Sequence, residues 1–416
     1  MAYSSITYYN HPAVPGGVFA QRVSPSGERI GPRLALDTSD NVNCLFAVPS
    51  GPGRLLVAWG EYSYPTDTIY ARHFDFQGNP LSPKVQVGTS SSYVPTAAAC
   101  DAEGRCWIAW IPEGVASIRA RRLDADGQLL GQEIRVDSSP GPGAGYVERY
   151  EIELSADPQG GFVAAWWNGS TATGTPEDPP TPPTGEIHIR RFTAAGEPLG
   201  DELLLDTGSE FAYNSPSVCH LANGGFFVAA SRVRPDFVSP YEVVLRRFDA
   251  AGVPAGPEQI VTVSAGHTGS LDLSCGPDGA LLLWRGEALF GRHFSLTGEP
   301  SGAPILISNG GSRASAALLG SGRFLVAWEV YLPDSTDIYA RVYGSATSAL
   351  PLHGGRFHVE ATFRDPRTGI TGAAESRPLT NDTGLLWFFD SANVELVVKV
   401  LEGCEVNDHF WFFAAG

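Results

Sequence analysis

The stretch YARHFDFQGNPLS at 70–82 is written again as RARRLDADGQLLG at 119–131 and as HIRRFTAAGEPLG at 188–200. An arginine, a large apolar residue and a turn glycine are kept, while most other positions change. The glycines that follow the arginine segment are Gly27, Gly78, Gly127, Gly196, Gly252 and Gly298, spaced 51, 49, 69, 56 and 46 residues apart. The arginine column runs Arg72, Arg121, Arg190, Arg246, Arg292 and Arg341, with Gln21 in the N-terminal copy. Self-similarity at such a period commits the chain to stacking copies of one small supersecondary unit.

A second motif precedes each of the last six copies. It reads LLVAW to Trp59, WIAW to Trp110, FVAAW to Trp166, FFVAAS with Ser231 in place of tryptophan, LLLW to Trp284 and FLVAW to Trp328. A glycine turn comes just before it, another apolar run before that turn, and a fourth run after the arginine segment. The unit is therefore four short strands with no helical period. Four-stranded units of about 50 residues are what β-propeller blades look like. One such sheet cannot cover both its faces; a ring of them can, which explains near-continuous apolar strands.

The expected fold is all-β, with a β-propeller over residues 1–346. Seven repeat units predict seven blades, with residues 1–38 lacking a first strand and 314–344 supplying strands one to three. Six blades closed by N-terminal strands is the alternative. A start in mid-blade leads us to expect a fragment of a longer chain. The glycine is read as supplying positive φ in a hairpin, the tryptophan as packing between blades, and the arginine as pairing with carbonyls or acids at the blade edge.

Composition narrows the function classes. The net charge is −17 and no basic stripe exists, which argues against nucleic acid. No run of 18 apolar residues is present, so no membrane insertion is expected. No signal peptide is visible. The six cysteines form no CxxC. Cys100 and Cys106 flank DAEGR, a hairpin turn that could set them opposite each other as a disulfide, compatible with export; the alternative is that they are small buried hydrophobes. There is no GxSxG, HExxH or P-loop, and DADG at 124–127 reads as a turn rather than a calcium loop. No catalytic residue, metal or cofactor is assigned.

The pattern G-F-h-h-A-W followed by h-Y-A-R-R-F-D-x-x-G-x-P-L-G resembles repeats common in secreted and surface proteins of bacteria, over about residues 1–344. The tail differs. GGRFHVEATFRD, TGLLWFFDSANVELVVKVLEGC and NDHFWFFAAG resemble, in the same order, a small β-sandwich domain of unknown function found at the C-termini of such proteins. This resemblance implies a second domain at 347–416, truncated at its end, with Cys404 unpaired because Pro351 and Leu352 stand where relatives have a cysteine. Alternation predicts Val394, Leu396, Val398 and Val400 on one face.

In a propeller, the turns between strands one and two and between three and four share one face. The loops between strands two and three and between blades share the other. Here the second set is long and varied, and binding usually sits on such loops. Candidate ligand-binding residues there are Glu61, Tyr62, Tyr64, Glu113, Trp167, Arg232, Tyr241, Glu287, Glu329 and Tyr331. Aromatic rings with acids suit sugar or peptide. The expected function is an extracellular or cell-surface binding or scaffold module for carbohydrate or protein, as a monomer or part of a longer chain. The alternative is a propeller glycoside hydrolase or lyase using acids on the same face.

Overall fold

The computed structural model describes residues 2–7, 17–23, 29–39, 42–63, 66–91, 97–112, 115, 117–138, 151–170, 184–206, 210–234, 236, 240–264, 268–320, 323–332, 335–343, 349–353, 356–364, 371–387, 394–403 and 409–415. Among these the chain is all-β. Sheet one holds β1 (Ala2–Thr7), β2 (Val18–Val23) and β3 (Arg29–Asp37). Sheet two holds β4 (Val42–Pro49), β5 (Arg54–Ser63), β6 (Thr66–Asp75) and β7 (Val85–Ser91). Sheet three holds β8 (Ala97–Cys100), β9 (Cys106–Trp110), β10 (Arg119–Leu123) and β11 (Leu129–Arg135). Sheet four holds β12 (Ile152–Ala156), β13 (Phe162–Ser170), β14 (Thr184–Phe192) and β15 (Leu203–Leu204). Sheet five holds β16 (Ala212–His220), β17 (Phe226–Val233), β18 (Tyr241–Phe248) and β19 (Gln259–Ser264). Sheet six holds β20 (Gly269–Gly276), β21 (Gly279–Arg285), β22 (Leu289–Phe294) and β23 (Pro300–Ser308). Sheet seven holds β24 (Ser312–Gly320), β25 (Arg323–Leu332) and β26 (Ser335–Tyr343).

Every sheet is an antiparallel meander in chain order, and the first strands β4, β8, β12, β16, β20 and β24 lie side by side. This is the blade arrangement of a β-propeller. Apolar cores fill the spaces between successive sheets. Between sheets three and four, Trp107, Phe162, Trp166 and Phe192 form one such layer. The stacked pairs Phe162–Phe192, Phe226–Phe248 and Phe324–Tyr343 recur at ring separations of 4.6, 4.9 and 5.0 Å.

Pairing corrects one alignment. Trp166 faces His188, two residues before Arg190, and Ala230 faces Val244, two before Arg246. Ala230, not Ser231, therefore stands in the tryptophan column, and Ser231 matches Trp167. Motif spelling placed VAAS over VAAW; the ladder shifts it by one.

Three arginines of the column act between blades, while Arg72 and Arg292 donate to Ser82 O and Gly302 O of their own blades. Arg121 Nη1 donates to the carbonyl of Val87 at 3.2 Å and Arg190 Nη1 to that of Val136 at 3.0 Å, each on the preceding blade. Arg246 donates likewise to Leu205. Their sequence neighbours reach the other way. Arg122 donates to Ala194 O and Arg191 to Ala250 O, both in turns of the following blade. An Arg-Arg pair thus clamps its blade to both neighbours through backbone carbonyls, which a guanidinium with several fixed donors can satisfy.

The turns are closed by short side chains. Asp124 Oδ1 accepts from the amides of Asp126 and Gln128 at 2.9 and 2.8 Å, and Gly127 has φ +77°. Asp75, Thr193, Asp249 and Ser295 cap equivalent turns. A side-chain oxygen that mimics a turn hydrogen bond accounts for DADG without a cation.

Beyond the blades, β27 (Ala349–Leu352) pairs with β28 (Phe357–Glu360), and β29 (Thr362–Arg364) with β30 (Thr371–Ala373). A four-stranded sheet holds β31 (Glu375–Pro378), β32 (Thr383–Trp387), β33 (Leu396–Gly403) and β34 (His409–Ala415). This region has its own core of Leu350, Leu352, Ala374, Leu386, Val398 and Val400. Leu396 packs against it, whereas Val394 lies ahead of the strand and is exposed, which corrects its place on that face. Cys404 lies outside the described residues.

Candidate functional site

The first strand of each blade starts at the variable-loop face, so its opening residues line the axial mouth. Strand β8, Ala-Ala-Ala-Cys, is small and apolar throughout. At one column, opposite the residue just before the tryptophan position, stand Phe46, Ala97, Glu153, Ser217, Asp272 and Ser315. Two carboxyls and two hydroxyls therefore gather on β12, β16, β20 and β24. Glu151 stands just before β12, and its Oε1 accepts from Ser215 Oγ at 3.4 Å.

The local backbone turns these side chains. Ladder shifts fall between Asn214 and Ser217, Gly269 and Asp272, and Ser312 and Ser315. Ser215, Ser270 and Arg313 within them have φ of 50°, 49° and 44°. Such bulges re-aim the residues that follow, here Ser217, Asp272 and Ser315. Ser155 Oγ accepts His220 N at 2.9 Å, Ser217 Oγ accepts Leu273 N at 3.0 Å, and Asp272 Oδ2 accepts Ala316 N at 2.9 Å. One side chain per blade thereby ties its inner strand to the next.

The three carboxyls differ in how they are held. Burial pushes Asp272 up to about 6, against hydrogen bonds from Ala316 N, Ser315 and Ser274. Burial also raises Glu151, against its bonds from Ser215. Glu153 is pushed up to about 8 by burial and then by the charges of Asp272 and Glu151. It has no hydrogen bond or ion pair with any described residue. Glu153 is deep among protein atoms yet only half-buried to solvent. Glu151 Oε2 is buried close by without a partner among the described residues. The Trp167 N to Glu151 O bond of 3.1 Å and the Ser215–Glu151 contact set Glu151 between β13 and β16.

The residues expected from sequence fall elsewhere. Trp167 is buried in the core between sheets four and five, 5% exposed, because Gly185 leaves room for its indole. Arg232 is consumed internally: Nε meets Glu242 at 2.7 Å, Nη1 meets Glu258, and Tyr213 OH lies 3.2 Å away. Neither presents itself to a ligand. Glu61 accepts from Trp59 Nε1 at 3.0 Å and Ser39 Oγ at 2.6 Å and pairs with Lys84. Tyr62, Glu287 and Tyr331 are exposed; Tyr331 OH donates to Glu329 Oε2 at 3.1 Å. Tyr241 is half-buried at the start of β18. These stand on separate sheets. Tyr64 and Glu113 lie outside the described residues.

Glu151, Glu153 and Asp272 were missed by reading loops alone. Their signal was a charged residue inside an apolar first strand, EIELS against TAAAC in the preceding copy. Two disulfides are present, Cys100–Cys106 across its hairpin and Cys219–Cys275 between β16 and β20. Among the described residues no group of three or more metal-ligating side chains forms.

No family model matches the chain, and no curated protein does either. Among solved structures it is similar to a protein of unknown function from Dyadobacter fermentans DSM 18053, at 11% identity over 73% of this chain and 94% of that one, TM-score 0.46. It is similar to the α-L-arabinanase of Penicillium chrysogenum complexed with arabinobiose, at 13% identity over 73% and 93%, TM-score 0.47. An ulvan lyase is similar at 10% identity over 82% and 88%, TM-score 0.47. At these values the similarities assign no activity; the chain is a β-propeller by its own architecture.

Proposed function

We propose that the protein is an extracellular carbohydrate-binding propeller whose ligand enters the axial mouth on the variable-loop face. The observation that carries this reading is the gathering of Glu151, Glu153, Asp272 and the serine hydroxyls on neighbouring inner strands, where β4 and β8 carry Phe46 and Ala97. Carboxyls and hydroxyls gathered on neighbouring inner strands match the hydroxyls of a sugar. Tyr62, Glu287, Glu329 and Tyr331 would form an outer rim. In this reading the blades number seven, residues 347–416 form a separate small sandwich, and the chain works as a monomer or within a longer one. Two disulfides support export to an oxidising compartment.

A glycan array with the immobilised chain tests this. Binding to neutral glycans is expected, and Ser315→Trp, which narrows the mouth from an exposed position on β24, should abolish it with the melting temperature unchanged. An array without a bound glycan would sink the proposal.

A further inference from the structure

We infer that Glu153 and Asp272 form an acid–base pair that hydrolyses a glycosidic bond of the bound glycan. This rests on the carbohydrate reading and goes beyond binding. Three observations carry it. First, Glu153 is a carboxyl set deep at the mouth with no hydrogen-bond or ion-pair partner among the described residues, in a position where β8 places Ala97 without loss of its ladder. A scaffold role would have given it a donor, as Asp272 has in Ala316 N. Second, Glu151 Oε2, two residues along the chain from Glu153, is buried without a partner among the described residues. An orphaned buried acceptor calls for a ligand with hydroxyl donors. Third, the two acids belong to β12 and β20 on either side of β16, occupy the same ladder column, and no hydrogen bond joins them.

The step balances without an outside reagent. Glu153 donates its proton to the glycosidic oxygen as the bond from that oxygen to the anomeric carbon breaks. Water attacks the anomeric carbon from the opposite side and gives a proton to the Asp272 carboxylate. The products are a hemiacetal of inverted configuration and a free alcohol. A proton passing from Asp272 back to Glu153 through solvent restores the pair. The raised affinity of Glu153 for its proton fits the donor, and Asp272, held by three donors, stays ionised at neutral pH. The charged groups around Glu153 are Glu151 on its own strand and Asp272; β16 brings the hydroxyls Ser215 and Ser217, and β8 brings Ala97–Cys100. The carboxyls Glu151, Glu153 and Asp272 outnumber the single arginine of these inner strands, Arg313 on β24, which favours hydrolysis of a neutral glycan over elimination of a uronate.

The test incubates the full chain with fluorescently end-labelled neutral oligosaccharides of arabinan, galactan, xylan and β-glucan, and follows both binding and chain length. At least one series should be bound and shortened. Glu153→Gln and Asp272→Asn should each lose about 100-fold or more in rate at saturating oligosaccharide while circular dichroism stays that of the parent. The unmodified chain should show a bell-shaped rate between limbs near pH 6 and 8, a readout that needs no variant. Proton NMR should show the inverted anomer first. Oligosaccharide bound but never shortened overturns this inference and leaves the binding proposal standing. Cleavage at the parent rate by Glu153→Gln overturns it too. No series bound removes both.

Discussion

Strands β8 and β12 lie side by side in the ring and pair with their own second strands in the same way, yet one reads Ala-Ala-Ala-Cys and the other Ile-Glu-Leu-Ser-Ala. Ala97 and Glu153 occupy the same column. The scaffold therefore asks only for a residue that fits the ladder, and alanine meets that request. A carboxyl there has a raised proton affinity and weakens the fold as pH rises from about 4.5 toward 8. The contrast separates what builds the ring from what the ring was given to carry.

That contrast can be broken or sharpened by a graded set of changes. The largest effect belongs to the shared packing. Trp166→Ala removes a buried indole from the layer between sheets three and four and should lower stability by about 3–5 kcal/mol in urea unfolding. A loss below about 1 kcal/mol would show that packing does not hold both strands alike. Next come the disulfides. The Cys219–Cys275 bond spans 56 residues and two blades, against 6 residues within one hairpin for Cys100–Cys106. On loop-closure entropy its removal should cost about 4 kcal/mol, against roughly 2 for the short loop. Equal losses from the two double alanine variants would contradict the ranking.

Glu153→Ala converts β12 to the β8 pattern. The folded group titrates near 8 and an unfolded glutamate near 4.5, so between these values the folded state holds the extra proton. Stability should fall as pH rises through that window, and the variant should exceed the parent by about 2–3 kcal/mol at pH 9 and by nothing at pH 4. Melting curves at both values decide it. The smallest effect lies away from the mouth. Burial opposes ionisation of Glu202, but bonds from His188 at 2.5 Å and Ser138 hold it down at about 2. Its contribution is present above the ordinary carboxylate range and fades as pH falls toward 2. Glu202→Gln should cost about 1–2 kcal/mol at pH 7 and little at pH 2; a pH-independent loss would point to packing instead.

The blade architecture was readable because repetition multiplies weak local cues. The arginine column, the Asp124 turn and the Cys100–Cys106 hairpin each depend on neighbours close in sequence or one period away. The site was less readable for a physical reason. Loop aromatics and acids announce themselves by residue type, but their availability depends on partners brought in from elsewhere. Arg232 looked free until Glu242 and Glu258 met it, and Trp167 looked exposed until Gly185 made space beneath it. Glu153 was hidden by the opposite error, a charged residue within a strand that reads as core. Cys219 and Cys275 meet only because adjacent inner strands turn those faces toward each other.

The acceptors of the arginine clamps are main-chain oxygens, and every amino acid supplies one. A unit therefore brings its own grips and needs no matching side chain from the units beside it. Gene duplication or loss of a whole repeat would leave no widowed partner, so ring size would be governed by the angle at which neighbours settle. Inner-strand positions such as 153 are then free to drift toward chemistry, one unit at a time, without loosening the wheel.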